Sequence, residues 1–80
     1  MSERYKRLKA HCEGMGINLL RDDVAFIERM LVHCEPTARQ TCLKTYFQIW
    51  LDGMEEEGLH NRQNTGRHMA NTWLRTRFGK

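Results

Sequence analysis

Eighty residues with a formal net charge of +3 allow one small hydrophobic core and argue against a large enclosed ligand cavity. A chain this short buries only about 60% of its extended surface, so the core is marginal and binding by a surface is the cheaper device. No apolar run approaches the roughly 18 residues of a membrane span, and residues 1–20 hold no apolar stretch of about 7–15 residues, so neither a membrane segment nor a secretory leader is expected.

Punctuation by Gly14-Met15-Gly16, by Glu35-Pro36-Thr37 and by the stretch from Gly58 to Gly66 divides the chain into four apolar-periodic segments. Nowhere do β-branched and aromatic residues alternate as a strand requires. The first segment, residues 2–13, places Tyr5, Leu8 and Cys12 on one helical stripe, with Gly14 placed to cap its end. The second, residues 22–34, opens on Asp22 and Asp23, which suit the positive end of a helix dipole. It then repeats Val24, Ile27, Met30, Leu31 and Cys34 on one broad face, and Pro36 ends it.

The third segment, residues 37–57, carries the richest stripe: Leu43, Tyr46, Phe47, Trp50 and Met54. Thr37-x-x-Gln40 fits a capping box at its start, and Gly53 weakens its last turn by about 1 kcal/mol relative to Ala. The fourth begins between Asn61 and Thr65 and ends near Phe78. Met69, Ala70, Trp73, Leu74 and Phe78 line one of its faces, and Arg67, Asn71 and Arg75 line another. The pattern predicts an all-α fold: one small bundle of three to four helices over residues 1–80, with Leu31, Leu43, Phe47, Trp50, Trp73 and Leu74 near its centre.

Charge is unevenly spread. Residues 21–59 hold eight acidic side chains against four basic, whereas residues 60–80 hold Arg62, Arg67, Arg75, Arg77 and Lys80 and no acid. The last segment either attracts an anionic partner or folds against the acidic middle.

The groups able to do chemistry are few. Cys12, Cys34 and Cys42, with His11, His33, His60 and His68, supply zinc-ligand types, but none of them sits in a knuckle spacing. Neighbouring His-Cys pairs on a helix point about 100° apart, so no metal is expected. Cysteines on apolar stripes are inert thiols, and three of them, an odd number, fit a reducing cytoplasm. Ala10-His11-Cys12-Glu13 and Val32-His33-Cys34-Glu35 echo each other, each expected to close a helix; capping explains that placement without a repeat. Gly14-Met15-Gly16 lacks the third glycine of a dinucleotide loop, and Glu55-Glu56-Glu57 lacks the alternating ligands of a calcium loop. Neither catalytic residues nor a cofactor is expected.

The residues with a functional tilt are Arg62, Arg67, His68, Asn71, Arg75 and Arg77. Arginine and asparagine at a helix face serve phosphate and base-edge contacts, and arginine and tryptophan equally serve protein interfaces. In size and composition the chain resembles small accessory proteins of bacteria and their phages, a likeness of type that carries no functional residue across. The function expected is a non-enzymatic cytoplasmic module that regulates or inhibits a macromolecular partner by binding, through a protein contact or self-association, without membrane or small-molecule substrate. The alternative is a nucleic-acid-binding regulator using the basic C-terminal helix.

Overall fold

The computed structural model describes residues 3–56 and 61–79, except the side chains of Arg4 and Glu56. Four helices follow in order: α1 (Glu3–Gly14), α2 (Arg21–Met30), α3 (Pro36–Glu56) and α4 (Arg62–Phe78). No strand occurs among the described residues, and no described helix is long and apolar enough to cross a membrane. The all-α bundle read from the periodicity is the observed one.

Helix α1 ends in a Schellman motif. The N–H groups of Gly16 and Ile17 return to the carbonyls of Glu13 and Cys12 at 3.1 and 2.8 Å. The left-handed residue this requires is Gly16, at φ 81°, rather than Gly14, which is the last residue of the helix. Beyond the turn the linker runs extended, and its side chains alternate: Ile17 and Leu19 are buried, Asn18 and Leu20 exposed. These two core residues belong to none of the four helical stripes.

Helix α2 is shorter than its apolar pattern. Leu31 caps it, and the Cys34 N–H closes a turn on the Leu31 carbonyl at 3.0 Å. The helix ends at Met30, well ahead of Pro36, and Val32 is left exposed in the turn that follows. The second His-Cys pair therefore lies in a turn and linker, and only the first closes a helix. The same proline opens α3 as its first residue, where a missing N–H costs nothing. The Arg39 N–H donates to the Glu35 carbonyl at 2.8 Å, so Thr37 lies inside the first turn and does not form the expected capping box with Gln40.

α3 and α4 form an antiparallel hairpin, with α2 laid on α4 and α1 on α2. The hairpin closes at two glycines. A Cβ on Gly66 would stand 2.5 Å from the Trp50 carbonyl oxygen, and one on Gly53 would stand 2.9 Å from the Gly66 Cα. Gly66 is thus an interior contact of α4 and not part of a loop, and the helix propensity lost at both positions is offset by the close approach of the two backbones. Residues 57–60, including Gly58, lie outside the described chain.

The core joins Cys12, Ile17, Leu19, Val24, Ile27, Leu31, Cys42, Tyr46, Phe47, Trp50, Met54, Ala70 and Leu74. Leu31, Phe47, Trp50 and Leu74 occupy it as expected. Leu43 and Trp73 do not: both are only partly buried at its margin. At Trp73 the reason is geometric, because α3 covers α4 most closely along Gly66 and Ala70 and leaves Trp73 on the flank.

Candidate functional site

Helix α4 has two unlike edges. Toward the α1–α2 linker it carries Gln63, Arg67 and Asn71, spaced at i, i+4 and i+8 on one stripe. The Gln63 Oε1 accepts from the Asn18 N–H at 3.0 Å and from the Trp50 indole N–H at 3.1 Å, while its Nε2 donates to the Gly16 carbonyl at 2.8 Å. Arg67 donates through Nε to the Asp23 carboxylate at 2.9 Å, to the Asn18 carbonyl at 2.8 Å and to the Asn64 side chain at 2.8 Å. Its guanidinium carbon lies 5.0 Å from the centroid of the Trp50 ring. Asp23 is 4% exposed; its Oδ2 also accepts the Leu20 N–H at 2.9 Å, so one carboxylate starts α2 and anchors α4 together. The Tyr46 hydroxyl donates to the Asn71 side-chain oxygen. No buried side-chain donor or acceptor among the described residues lacks a partner.

Two of the residues assigned to partner contact, Arg67 and Asn71, are therefore spent inside the molecule. Arg67, Asn71 and Arg75 do lie in one helical row, but only Arg75 is exposed; Arg67 and Asn71 are half-buried and bonded within the molecule. A guanidinium beside a buried carboxylate is held by charge and by a fork that meets three acceptors at once. The side chain of Arg67 retains 17% exposure. Part of the basic last segment does fold against the acidic middle, through this Arg67–Asp23 pair.

The opposite edge is unpartnered. Ile49 from α3 with His68, Met69, Thr72 and Trp73 from α4 line a shallow groove of about 450 Å³ whose walls are almost wholly apolar. Ile49, Met69 and Trp73 are each only partly buried, and His68 and Thr72 are exposed. Arg62, Arg75 and Arg77 are exposed too, and none makes an ion pair among the described residues. Arg75 lies 5.6 Å over the Phe26 ring toward α2, and Arg77 lies 5.7 Å over Phe78. Arg62, Met69, Trp73 and Arg77 fall at i, i+7, i+11 and i+15, so the helix period sets one arginine position before the apolar stripe and one after it.

The reactive groups are held in quiet states. Burial, aided by the charge of Asp23, pushes the Cys12 thiol up from 9.0 to about 12. Burial also drives the Tyr46 hydroxyl well above its ordinary value, with Asp23 adding to the rise and Arg67 opposing it. Both stay protonated at neutral pH, so neither is a nucleophile there. All three cysteines are free thiols. Among the described residues no three His, Cys, Asp or Glu side chains converge as a metal site would need. A second depression, about 530 Å³ between α1 and the start of α3, mixes Glu3 with Arg7 and Arg39 and has no single charge character. Arg39 is paired with Glu28.

Gln63, Asn18 and Asp23 were not among the expected site residues. Asp23 has a signal as a first-turn acid and Gln63 lies in the polar, basic stretch that opens the last segment, but nothing in the pattern marks Asn18 or names the partners of either, which lie far away along the chain. The chain matches no protein-family model, no curated protein and no solved structure at a significant level.

Proposed function

We propose that this protein is a small non-enzymatic interaction module that regulates a partner protein by occupying it, and that the α3–α4 flank is its docking face. The observation that carries the reading is the groove of Ile49, Met69 and Trp73: large apolar side chains brought together and left uncovered on the side away from α1 and α2. Tryptophan and methionine at a groove, on a helix that also carries exposed arginines, form a composition that anchors protein interfaces. The remaining arginines favour a second reading, a nucleic-acid-binding regulator. It has less support, because Arg67 and Asn71 are engaged internally and Arg62, Arg75 and Arg77 do not share one face.

The test is retention from host lysate on the immobilised protein, with and without nuclease, run beside Thr72→Glu. Thr72 is exposed in the groove wall, so the variant places a charge there without touching the core. The expected result is one protein retained despite nuclease and lost with Thr72→Glu at unchanged melting temperature. Retention that disappears with nuclease and with Arg62, Arg75 and Arg77 replaced, while Thr72→Glu has no effect, would establish the second reading instead.

A further inference from the structure

We propose, resting on the protein-binding reading above, that the groove accepts an acidic amphipathic helix of the partner, laid along the furrow between α3 and α4. The shape comes first. An antiparallel helix pair with a shallow apolar furrow on its outer flank is completed by a third helix, whose residues at i, i+3, i+4 and i+7 meet Ile49, Met69 and Trp73. Charge then sets the chemistry. Arg62 and Arg77 bracket the apolar stripe along α4, fifteen residues apart in sequence and so separated by about 22 Å of helix axis. Neither guanidinium has an ion-pair partner among the described residues, and α4 carries no acidic side chain at all. A helix of about four turns with a carboxylate near each end meets both.

The other edge of the furrow fixes the orientation. Asp52, exposed and held by the Gln48 amide at 3.0 Å, lies one turn beyond Ile49 on α3. It repels carboxylates on that side, so the partner's acids are confined to the α4 edge. A second copy docked by its own α4 would bring no acid to either arginine. The net charge of +3 adds a general attraction for an acidic partner.

The probe is a displayed library of amphipathic peptides about four turns long, with a fixed apolar face and randomised flanking charges. Selection runs on the intact protein and on Arg62→Glu/Arg77→Glu, both folded by circular dichroism. Selection on the parent is expected to enrich Asp and Glu at both ends on one side of the apolar face. Selected peptides should bind the double variant about tenfold or more weaker, and peptides with basic ends should replace them on it. Thr72→Glu should abolish binding of all of them. Enrichment of neutral or basic ends, or acidic peptides indifferent to the charge reversal, would overturn the acidic partner while leaving a protein-binding groove in place. A library that yields no binder would overturn it as well, and the lysate experiment with Thr72→Glu would then judge the broader reading by itself. Concentration-dependent dimerisation in sedimentation equilibrium, lost in Thr72→Glu, would assign the groove to a second copy.

Discussion

Along one edge of α4, polar side chains are turned inward and fully occupied; along the other, apolar side chains are turned outward and uncovered. Gln63, Arg67 and Asn71 on the first edge bond to Trp50, Asp23, Asn18 and Tyr46. Met69 and Trp73 on the second line an open groove with Ile49. The two tryptophans repeat the contrast: Trp50 is 0% exposed with its N–H satisfied, while Trp73 sits at the margin. Residue type alone would have assigned the edges the other way round. A side chain is placed by what its neighbours offer, and a buried Asp23 makes the inward edge the cheaper home for an arginine.

The largest effect should come from the inner edge. Trp50→Ala deletes the largest buried side chain and removes one of the two donors to the Gln63 Oε1, and should cost about 3–5 kcal/mol in urea denaturation. In a domain this small that approaches the whole stability. A variant melting within a few degrees of the parent would place Trp50 on the surface and erase the contrast between the tryptophans.

Arg67→Ala should follow at about 3 kcal/mol, because it leaves the Asp23 carboxylate buried with only the Leu20 N–H for company. An arginine held only at the surface would cost no more than about 1 kcal/mol. A measured cost near that lower figure would return Arg67 to solvent and reopen the exposed basic row. Asp23→Leu combined with Arg67→Leu should recover much of the loss, since an apolar pair leaves no unmatched charge behind.

Gly66→Ala tests the line between the edges. Its methyl would meet the Trp50 carbonyl, so the hairpin must spread, at about 2 kcal/mol. At Gly14 a Cβ meets nothing within 4 Å, and Gly14→Ala should instead be neutral or stabilise by up to about 1 kcal/mol, as a helix position should. Equal effects at the two glycines would show that the helices are not in close contact at Gly66.

The alkaline limb sharpens the inner edge further. The folded state holds the Cys12 proton more tightly than the unfolded state, so its stabilising contribution is complete below the unfolded value of 9.0. It is lost as the pH climbs toward about 12. Tyr46 adds to the same limb, its hydroxyl also being raised by burial. Stability measured against pH should therefore decline above pH 9, and the decline should be shallower in Cys12→Ala and in Tyr46→Phe. A profile as steep in both variants as in the parent would remove these two groups from the buried network. Smallest of all should be Arg75→Ala, within about 0.5 kcal/mol, because its guanidinium lies exposed over Phe26 and bears no ion pair.

Much of the fold was legible from residue spacing. The stripes of Tyr5, Leu8 and Cys12, of Val24 and Ile27, and of Tyr46, Phe47 and Trp50 identify three helices, and the fourth spans Arg62–Phe78 as its pattern indicates. The site was less legible. Of the basic and polar residues expected at a contact, Arg62, His68, Arg75 and Arg77 are exposed, whereas Arg67 and Asn71 are half-buried, and residue type does not separate the two groups. Met69 and Trp73 have the spacing of core residues; Trp73 lies at the core's edge and Met69 is only half-buried.

What the chain determines by itself is local: the helix periods, a glycine turn after α1, the proline that starts α3, and the sign of charge along α4. These follow from backbone sterics and nearest-turn geometry, which act over a few residues. Which face of α4 meets α3, and which meets the linker of Ile17 and Leu19, depends on residues that lie next to one another only after folding. Asp23 and Arg67, Gln63 and Asn18, and Trp50 and Gly66 are such pairs. The docking of α3 on α4 buries Ala70 and leaves Trp73 at the rim, because two helices of this width in contact along one line cannot cover both of α4's flanks. The uncovered flank is where the groove lies.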